Sequence, residues 1–412
     1  MMRSLNGEPF AGEARTRSRP LAGETGHSGE IIDNDERMVL TMDAGGTEIA
    51  FSAMARGKAL FEPICLPSRA DDLQACLQTI VDGLTSTRKR LPGAPAAISF
   101  AFPGPADYPA GIIGDLPNLP AFRGGVPLGP MLQQHFGIPV FINNDGDLFV
   151  YGEAMSGLLP ITARALQAEA SSRRPCNLFG VTIGTGLGAG LVCREKLYLG
   201  DNGAGMEIWS TRSHLNEDGI VEDSVSARAL RRVYAAEAGI ALQDAPDPQQ
   251  ISAILDGTMP GHRLAASRAF TALGNSLGEC LADAVCLTDS LVVIGGGISL
   301  AHRHFLDTAV ARMNGDLKTM EGRSVRRMEV TAYNLENAEQ RAAFLSEKPR
   351  ELQVPGTDFT VPFFANKSIG VGVSVLGTNE AVALGAYSYA LHALDGSLEQ
   401  LGHNSRTCGG QS

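Results

Sequence analysis

The chain lacks the long apolar run that a membrane span requires. None of its segments approaches the ~18–20 uninterrupted apolar residues of a spanning helix. The polar residues 1–37 also lack the apolar core of a secretory signal. We therefore expect no membrane partner, and we expect residues 1–37 to be a disordered extension.

A surplus of basic residues and a closely spaced cysteine pair are also missing. The formal net charge is −11, so we expect no nucleic-acid partner. The seven cysteines are scattered and form no C-x-x-C pair. This pattern predicts reduced thiols in a cytoplasmic protein.

The length and composition fit a folded protein of more than one domain. The chain has 412 residues, of which 44% are hydrophobic and 19% charged. That length exceeds one typical domain, so we expect two, with enough apolar residues for full cores. The polar tail over residues 396–412 is expected to be disordered.

Two glycine-rich turns, each after an apolar run, are the most informative feature. Asp43-Ala44-Gly45-Gly46-Thr47 follows residues 38–42, and Gly184-Thr185-Gly186 follows residues 178–183. Glycines let backbone N–H groups approach a phosphate closely, and a carboxylate can order Mg²⁺-bound water. Each motif alone is also compatible with a plain turn. Each of the two turns leads into another apolar run. The sequence therefore predicts two hairpins, each bent around a phosphate.

Apolar periodicity predicts alternating helices and strands, and therefore an α/β sheet. An apolar stripe at helical spacing marks the clearest helix: Leu73, Cys76, Leu77, Ile80, Val81 and Leu84. Further helices are predicted at residues 128–136, 224–236, 265–287, 301–313 and 380–387. Strands are predicted at residues 96–102, 139–142, 178–183 and 291–294. Residues 156–175 are predicted to be a surface helix or loop, and residues 335–367 an inserted loop or hairpin.

Asp145 is the candidate general base. It follows the strand over residues 139–142, and α/β sheets place their active sites beyond the carboxyl ends of strands. A hairpin turn is the alternative, but Asp147 and the apolar residues after it are typical of a helix N-cap and helix. A carboxylate suits phosphoryl transfer to a sugar hydroxyl, which needs an acceptor for one proton.

Three further features are candidates for ligand contacts. Glu207 and Glu222 suit sugar recognition, because a carboxylate accepts hydrogen bonds from vicinal hydroxyls; the alternative is an exposed surface charge. Gly295-Gly296-Gly297 follows a buried strand and permits close packing of a purine or of a helix backbone; the alternative is a tight turn. The single tryptophan, Trp209, is expected either in a substrate cleft or in the core.

Together these elements resemble the ROK (repressor, open reading frame, kinase) sugar kinases, a family within the actin/hexokinase ATPase superfamily. The motifs at residues 43–47, 144–145, 184–190 and 295–297 occur in the family's order, and the resemblance extends from about Met38 to Leu394. It implies a two-lobed α/β fold, the actin-like ATPase fold with a duplicated ribonuclease H-like half and a cleft between lobes. We expect a small lobe of residues 38–155 and 378–395, and a large lobe of residues 156–377.

The resemblance also implies ligands and roles for individual residues. The implied cofactors are ATP and Mg²⁺, with the metal ordered by Asp43 through water. The phosphates would be held by five residues of the two turns: Gly45, Gly46, Thr47, Thr185 and Gly186. Adenosine would be flanked by Gly295, Gly296 and Gly297. The sugar side would comprise Gly104, Asn118, Asn144, Asp145, Glu207 and Glu222, with Asp145 as the catalytic base.

The sequence departs from the family pattern in one stretch. Ser210 stands where a histidine is expected, and residues 211–222 contain no cysteine of the usual zinc-binding cluster. His214 is a lone histidine and a poor substitute. We therefore expect no zinc, and the change beside the sugar leaves substrate preference open.

The sequence favours an ATP-dependent kinase that phosphorylates the 6-hydroxyl of a free hexose, with glucose as the default acceptor. N-Acetylglucosamine, N-acetylmannosamine, mannose and fructose stay open, and a homodimer is implied only by the resemblance. One alternative is a non-catalytic sugar-sensing regulator, for which the segment before Met38 is too short and polar to form a DNA-reading domain. A dinucleotide-binding oxidoreductase is the other, but its Gly184-x-Gly186 fingerprint should open a helix, whereas an apolar run typical of a strand follows here.

Overall fold

The computed structural model describes residue 32 and residues 34–116 and 119–396. Most of the predicted extension, the tail after Gly396, and Asn118 lie outside the described residues. Residues 35–37, which the sequence assigned to the extension, contact the last helix, where the Tyr387 hydroxyl donates to the Asp35 carbonyl at 2.9 Å.

The helices follow the predicted alternation closely. Their bounds are α1 Leu73–Lys89, α2 Leu128–Phe136, α3 Asp145–Met155, α4 Leu158–Ala168, α5 Ala227–Ala238, α6 Pro248–Asp256, α7 Arg263–Thr288, α8 Leu306–Met313, α9 Ala338–Ser346 and α10 Thr378–Leu394. Short 3₁₀ helices occur at Ile208–Ser210, Val221–Asp223, Leu242–Asp244 and Gly297–His304. None of the helices among the described residues is long and apolar enough to cross a membrane.

Within the part of the chain that the structure describes, the strands build two six-stranded sheets and three small hairpins. The first sheet contains β1 Val39–Ala44, β2 Glu48–Ala55, β3 Lys58–Ala59, β4 Ile64–Pro67, β5 Ala97–Ala101 and β8 Val140–Asn143, in the order β3-β2-β1-β5-β8 with β4 also on β2. The second contains β9 Asn177–Ile183, β10 Leu187–Cys193, β11 Lys196–Leu197, β12 Leu291–Gly295, β15 Thr331–Asn334 and β18 Ser368–Val373, in the order β11-β10-β9-β12-β18-β15. The hairpins pair β6 Ala106–Asp107 with β7 Ile112–Ile113, β13 Asp316–Lys318 with β14 Ser324–Arg326, and β16 Arg350–Gln353 with β17 Thr360–Phe363.

The two large sheets repeat one plan. In each, an antiparallel pair encloses a glycine turn, β1 with β2 and β9 with β10. In each, the first strand of that pair also lies parallel to a later strand, β5 or β12. The predicted duplication of a hairpin bent at a Gly/Thr turn is therefore present.

Helices α3 and α10 lie together between the sheets. Helix α3 contacts β9, β10 and α10, while α10 also contacts β1 and β5. Every residue of α3 from Gly146 to Met155 is buried, as expected for a helix enclosed on all sides. Glycines let the two helices touch, since a Cβ at Gly385 would lie 1.9 Å from the Leu148 carbonyl oxygen and one at Gly152 would lie 2.0 Å from that of Ala381.

Three local predictions need correction, and a fourth is confirmed. The N-cap of α3 is Asn144, not Asp147, because the Asn144 side chain accepts from the Gly146 N–H. The helix predicted at residues 301–313 is interrupted at Phe305, whose φ of −134° is not helical, so a 3₁₀ segment that ends at His304 precedes α8. Residues 158–168 form a helix with one buried face, which agrees with the predicted surface helix or loop. The 335–367 stretch contains the expected hairpin, but also α9, which buries only Phe344 and so lacks an apolar stripe.

Candidate active site

The carboxyl end of β8 and the first turn of α3 form the centre of the candidate site. The Asn144 Oδ1 caps α3 by accepting from the Gly146 N–H at 2.7 Å. The same N–H donates to Asp145 Oδ1 at 3.0 Å, which fixes the Asp145 carboxylate at the helix start. The sequence placed Asp145 beyond a strand end, and the structure confirms that placement.

Glycines on both elements bring this helix start against the second hairpin. A Cβ at Gly146 would lie 2.9 Å from the Ala189 carbonyl oxygen of β10, and a Cβ at Gly190 would lie 2.9 Å from the Gly146 carbonyl oxygen. These distances are shorter than any Cβ contact in a relaxed protein. The helix start therefore lies directly on the strand that leaves the Gly184–Gly186 turn.

The residue that links the first glycine turn to Asp145 is Asp43, whose charge acts on the Asp145 carboxyl group. Asp43 is exposed at the end of β1, and its charge helps to raise the pKa of Asp145. Within the turn, the Gly45 N–H donates to the Glu48 carbonyl at 3.0 Å. Ser68 anchors the turn from β4's end, since its hydroxyl donates to the Gly46 carbonyl at 2.5 Å. Both acidic groups thus lie at the end of the first sheet, beside an exposed glycine turn.

Asp145 is a carboxylate with an elevated proton affinity. Desolvation is the main cause of its raised pKa, and the Asp43 charge adds to it, while the bond from Gly146 opposes the shift. The side chain still reaches water, because the residue is exposed. A carboxylate that is surrounded by protein yet open on one side is suited to receive a proton from a ligand.

Glu222 lies against the second turn. Its Oε2 accepts from the Leu187 N–H at 3.1 Å, and its Oε1 pairs with Arg228 at 2.5 Å. A Cβ at Gly186 would lie 2.6 Å from Glu222 Oε2. Both carboxylate oxygens of this predicted sugar ligand are therefore engaged by protein groups.

The Gly295–Gly297 motif has a structural explanation at two positions. A Cβ at Gly295 would lie 2.4 Å from the Phe149 ring of α3. Gly296 has φ 83°, and its Cβ would lie 2.3 Å from the carbonyl oxygen of Ile183, next to the second turn. At Gly297 nothing lies within 4 Å of an added Cβ. Close approach to protein accounts for Gly295 and Gly296, and the motif borders the turn that contains Thr185, which is exposed.

The sugar-side residues meet around Tyr108. The Tyr108 hydroxyl donates to the Phe102 carbonyl at 3.0 Å and accepts from Asn144 Nδ2 at 3.3 Å. A Cβ at Gly104 would lie 3.0 Å from the same hydroxyl. Desolvation, and then the charges of Asp145, Asp147 and Glu207, raise the pKa of Tyr108. Gly104 and Asn144 therefore lie at the Tyr108 hydroxyl, and the charges of Asp145 and Glu207 reach it; contact of these residues with a sugar stays a prediction.

Glu207 is oriented by the residues on either side of it. Met206 has φ 61°, a conformation that a large side chain rarely adopts, and this turns the chain at Glu207. The Trp209 indole N–H donates to Glu207 Oε2. Trp209 is exposed, which excludes the core as its location, while its place in a substrate cleft stays a prediction.

The described side chains offer few ligands that could hold a metal ion. Among residues 32, 34–116 and 119–396, no group of three or more His, Cys, Asp or Glu is arranged to hold a metal ion. A single exposed carboxylate such as Asp43 fits Mg²⁺ that is bound mainly through water and phosphates. His214 instead faces Asp283, at 3.1 Å, and Glu279. The absence of zinc stays a prediction.

Two buried acids were missed as functional candidates. Asp147 is 7% exposed and lies near Asp145 and Glu207; its position two residues after Asp145 was the available signal. Glu153 is fully buried and accepts from the Leu158 N–H at 2.8 Å, the Leu376 N–H at 3.2 Å and the Ser374 hydroxyl at 2.6 Å. These partners tie the end of α3 to the segment before α10.

Replacing Glu153 by alanine should lower the free energy of unfolding by about 3–5 kcal/mol, because one buried donor and two partly buried donors lose their acceptor. Chemical denaturation monitored by circular dichroism measures the change. The Asp223→Ala variant at an exposed position serves as the control and should unfold within about 0.5 kcal/mol of the parent. Equal stability of the Glu153 variant and the control would show that the contacts of Glu153 between the end of α3 and the segment before α10 do not stabilise the fold.

The comparisons with known proteins agree with this geometry. The sequence model of the ROK family matches residues 39–346. A crystal structure of glucokinase from Parabacteroides distasonis is 48% identical, covers 88% of this chain and 99% of that one, and superimposes with a TM-score of 0.81. The predicted fold class, the actin-like ATPase fold, is confirmed by this likeness.

Curated relatives include enzymes and regulators. Glucokinase of Thermotoga maritima is 25% identical over 64% of this chain and 83% of its own length. N-Acetyl-D-glucosamine kinase of Vibrio parahaemolyticus is 26% identical over 64% of this chain and 85% of its own length. The xylose repressor of Caldicellulosiruptor bescii is 27% identical, but the chain spans only 43% of its length.

Proposed function

Because the chain belongs to the ROK family, we propose that it is a kinase that transfers the γ-phosphoryl group of ATP to the 6-hydroxyl of a free hexose, with glucose as the acceptor by likeness to glucokinases. The observation that carries the proposal is Asp145. It lies at the start of α3, beside Asp43, with a raised pKa and an open side. The 48% identity to a glucokinase over nearly the whole of that chain supports the same activity.

Asp145 would act as the general base. Phosphoryl transfer asks little covalent chemistry of a protein beyond positioning and an acceptor for the hydroxyl proton. The Gly146 N–H holds the carboxylate, and the close contact of Gly146 with β10 holds the helix start beside the second turn. Asp145 would therefore take the proton from the sugar hydroxyl as its oxygen attacks the γ-phosphorus.

The phosphates would lie between the two glycine turns. Gly45, Gly46 and Thr47 would contact them from the first sheet, and Thr185 and Gly186 from the second. Gly297, whose Cβ direction is open, would border adenosine together with Gly295 and Gly296. Mg²⁺, ordered through water by Asp43, would supply positive charge against the phosphate oxygens.

Glu207 and Asn144 would contact the sugar hydroxyls, with Gly104 and Asn118 on the same side. Glu222 has a different environment, because Leu187 and Arg228 occupy its oxygens. We propose that Glu222 orders the second turn, and that any direct sugar contact requires it to give up Arg228. Residues 38–155 with 378–395, and residues 156–377, would form the two lobes that close on the ligands.

ADP release with Mg²⁺-ATP across a panel of free hexoses and N-acetylhexosamines tests the proposal. We expect turnover with one or a few sugars, glucose among them, and no zinc in the purified protein. Turnover with an N-acetylhexosamine alone would move the substrate assignment to that class. Sugar binding by calorimetry without turnover across the panel would overturn the kinase and favour a sugar-sensing regulator.

A further inference from the structure

Asp147 is a buried acid without a hydrogen-bond partner at the candidate sugar site. It lies in the first turn of α3 and is 7% exposed. Among the hydrogen bonds of the described residues, none involves its carboxyl group, unlike that of Asp145, which accepts from Gly146. Its oxygens are also not among the partnerless polar atoms that are sealed from solvent. The carboxyl oxygens therefore keep some contact with solvent, and the nearby acidic groups are Asp145 and Glu207 of the candidate site.

The groups that face Asp147 favour its neutral form. Desolvation is the main cause of a pKa well above the usual range, and the charges of Glu207 and Asp145 add to it. From α10 the neighbour is Tyr389, and from the loop after β5 it is Tyr108; neither carries a positive charge. The helix N-terminus favours a carboxylate, but no backbone N–H of the described residues donates to this one.

Few hydrogen-bond donors around the site are left for a ligand. One N–H of Asn144 Nδ2 donates to Tyr108, and the Tyr108 hydroxyl donates to the Phe102 carbonyl, so Asn144 keeps one further N–H. The Trp209 indole N–H donates to Glu207. Asp145 and Glu207 are acceptors when ionised. A sugar hydroxyl both donates and accepts, so a donor in addition to Asn144 would serve the oxygen lone pairs of the sugar.

We propose that Asp147 is held as a neutral carboxylic acid and donates a hydrogen bond to an oxygen of the acceptor sugar, while Asp145 and Glu207 accept from its hydroxyls. The inference rests on the proposed function, since it concerns the same site. Burial and neighbouring carboxylates are an established way to keep an acid neutral so that it can donate. Asp147 is then a binding residue that contacts the sugar directly.

The Asp147→Asn and Asp147→Ala variants test this role, because an amide donates as a neutral acid does and a methyl group does not. Sugar affinity is measured by calorimetry on the full chain, with the sugar that the panel selects. We expect Asp147→Asn to bind within about threefold of the parent and Asp147→Ala to bind about tenfold or more weakly. Parent affinity should fall as pH rises through the raised pKa, whereas the Asn variant should not follow that change.

Other outcomes overturn the inference in distinguishable ways. Equal losses in both variants, with a pH-independent parent, would show that the ionised carboxylate does the binding, as for a sugar that carries an ammonium group. Unchanged affinity in both would show that Asp147 does not touch the sugar. If the parent binds no sugar, the proposed function fails. An infrared difference spectrum between the parent and Asp147→Asn at neutral pH then decides whether Asp147 holds a proton. The absence of a protonated carboxyl band from that spectrum would overturn the inference.

Discussion

Replacing Asp145 by alanine should lower kcat by ~10²–10⁴-fold or more, while sugar binding largely persists. Asp145 is the carboxylate that the Gly146 N–H fixes at the start of α3, beside Asp43 and next to both glycine turns. Its removal leaves the phosphate turns and Glu207 in place but takes away the proton acceptor. Steady-state ADP release measures kcat, and calorimetry with the selected sugar measures binding.

The pH dependence gives a second readout of the same role. A base works when deprotonated, so kcat/KM should rise with pH through the pKa of Asp145. Because desolvation and Asp43 raise that pKa, the rise should be centred above the ordinary range of an aspartate. Asp43→Asn removes one of these causes and should move the rise to lower pH. Near-normal turnover of Asp145→Ala would contradict the assignment.

Replacing Gly385 by alanine should lower the free energy of unfolding by about 3 kcal/mol or more, because overpacking displaces backbone rather than a flexible side chain. The new Cβ would lie 1.9 Å from the Leu148 carbonyl oxygen of α3. Helix α10 would have to move away from α3, and the contact at Gly152, where a Cβ would meet Ala381, would loosen with it. Since α3 begins at Asp145, kcat should fall as well.

The Gly93→Ala variant is the control for this prediction. The nearest atom to its Cβ is the methyl group of Met38 at 3.1 Å, which can shift. Thermal and chemical unfolding of both variants measure the difference. An unfolding free energy of Gly385→Ala that matches the Gly93→Ala value would show that the α3–α10 contact tolerates a larger separation than the structure indicates.

Sequence patterns predicted the parts of the site that depend on local chain order. Glycine turns after apolar runs predicted both hairpins, and the strand over residues 139–142 predicted Asp145 at a sheet edge. These succeed because strands in parallel sheets end at a common edge. The N-cap of α3 was assigned to the wrong residue because Asn and Asp both cap helices, and only the bond between Asn144 and Gly146 distinguishes them.

Contacts between distant segments were beyond prediction from the sequence. Glu153 meets Ser374, and Gly296 donates to Thr378 at 2.8 Å, across more than eighty residues in the second case. Glu222 was expected at the sugar, but its partners are Leu187 and Arg228. The periodicity of an element reports which face is buried and not which element covers it, so these pairings require the fold.

Phosphorus NMR of the reaction product tests whether the chain phosphorylates the 6-hydroxyl of a sugar with Asp145 as the base. With Mg²⁺-ATP and the sugar selected by the panel, we expect one sugar phosphate per ADP, with the phosphorus coupled to the two protons of the primary C6 carbon. The Asp145→Ala variant should give almost none of this product. ATP consumption that yields inorganic phosphate, or a phosphate on another carbon of the sugar, would contradict a base at Asp145 that activates the 6-hydroxyl.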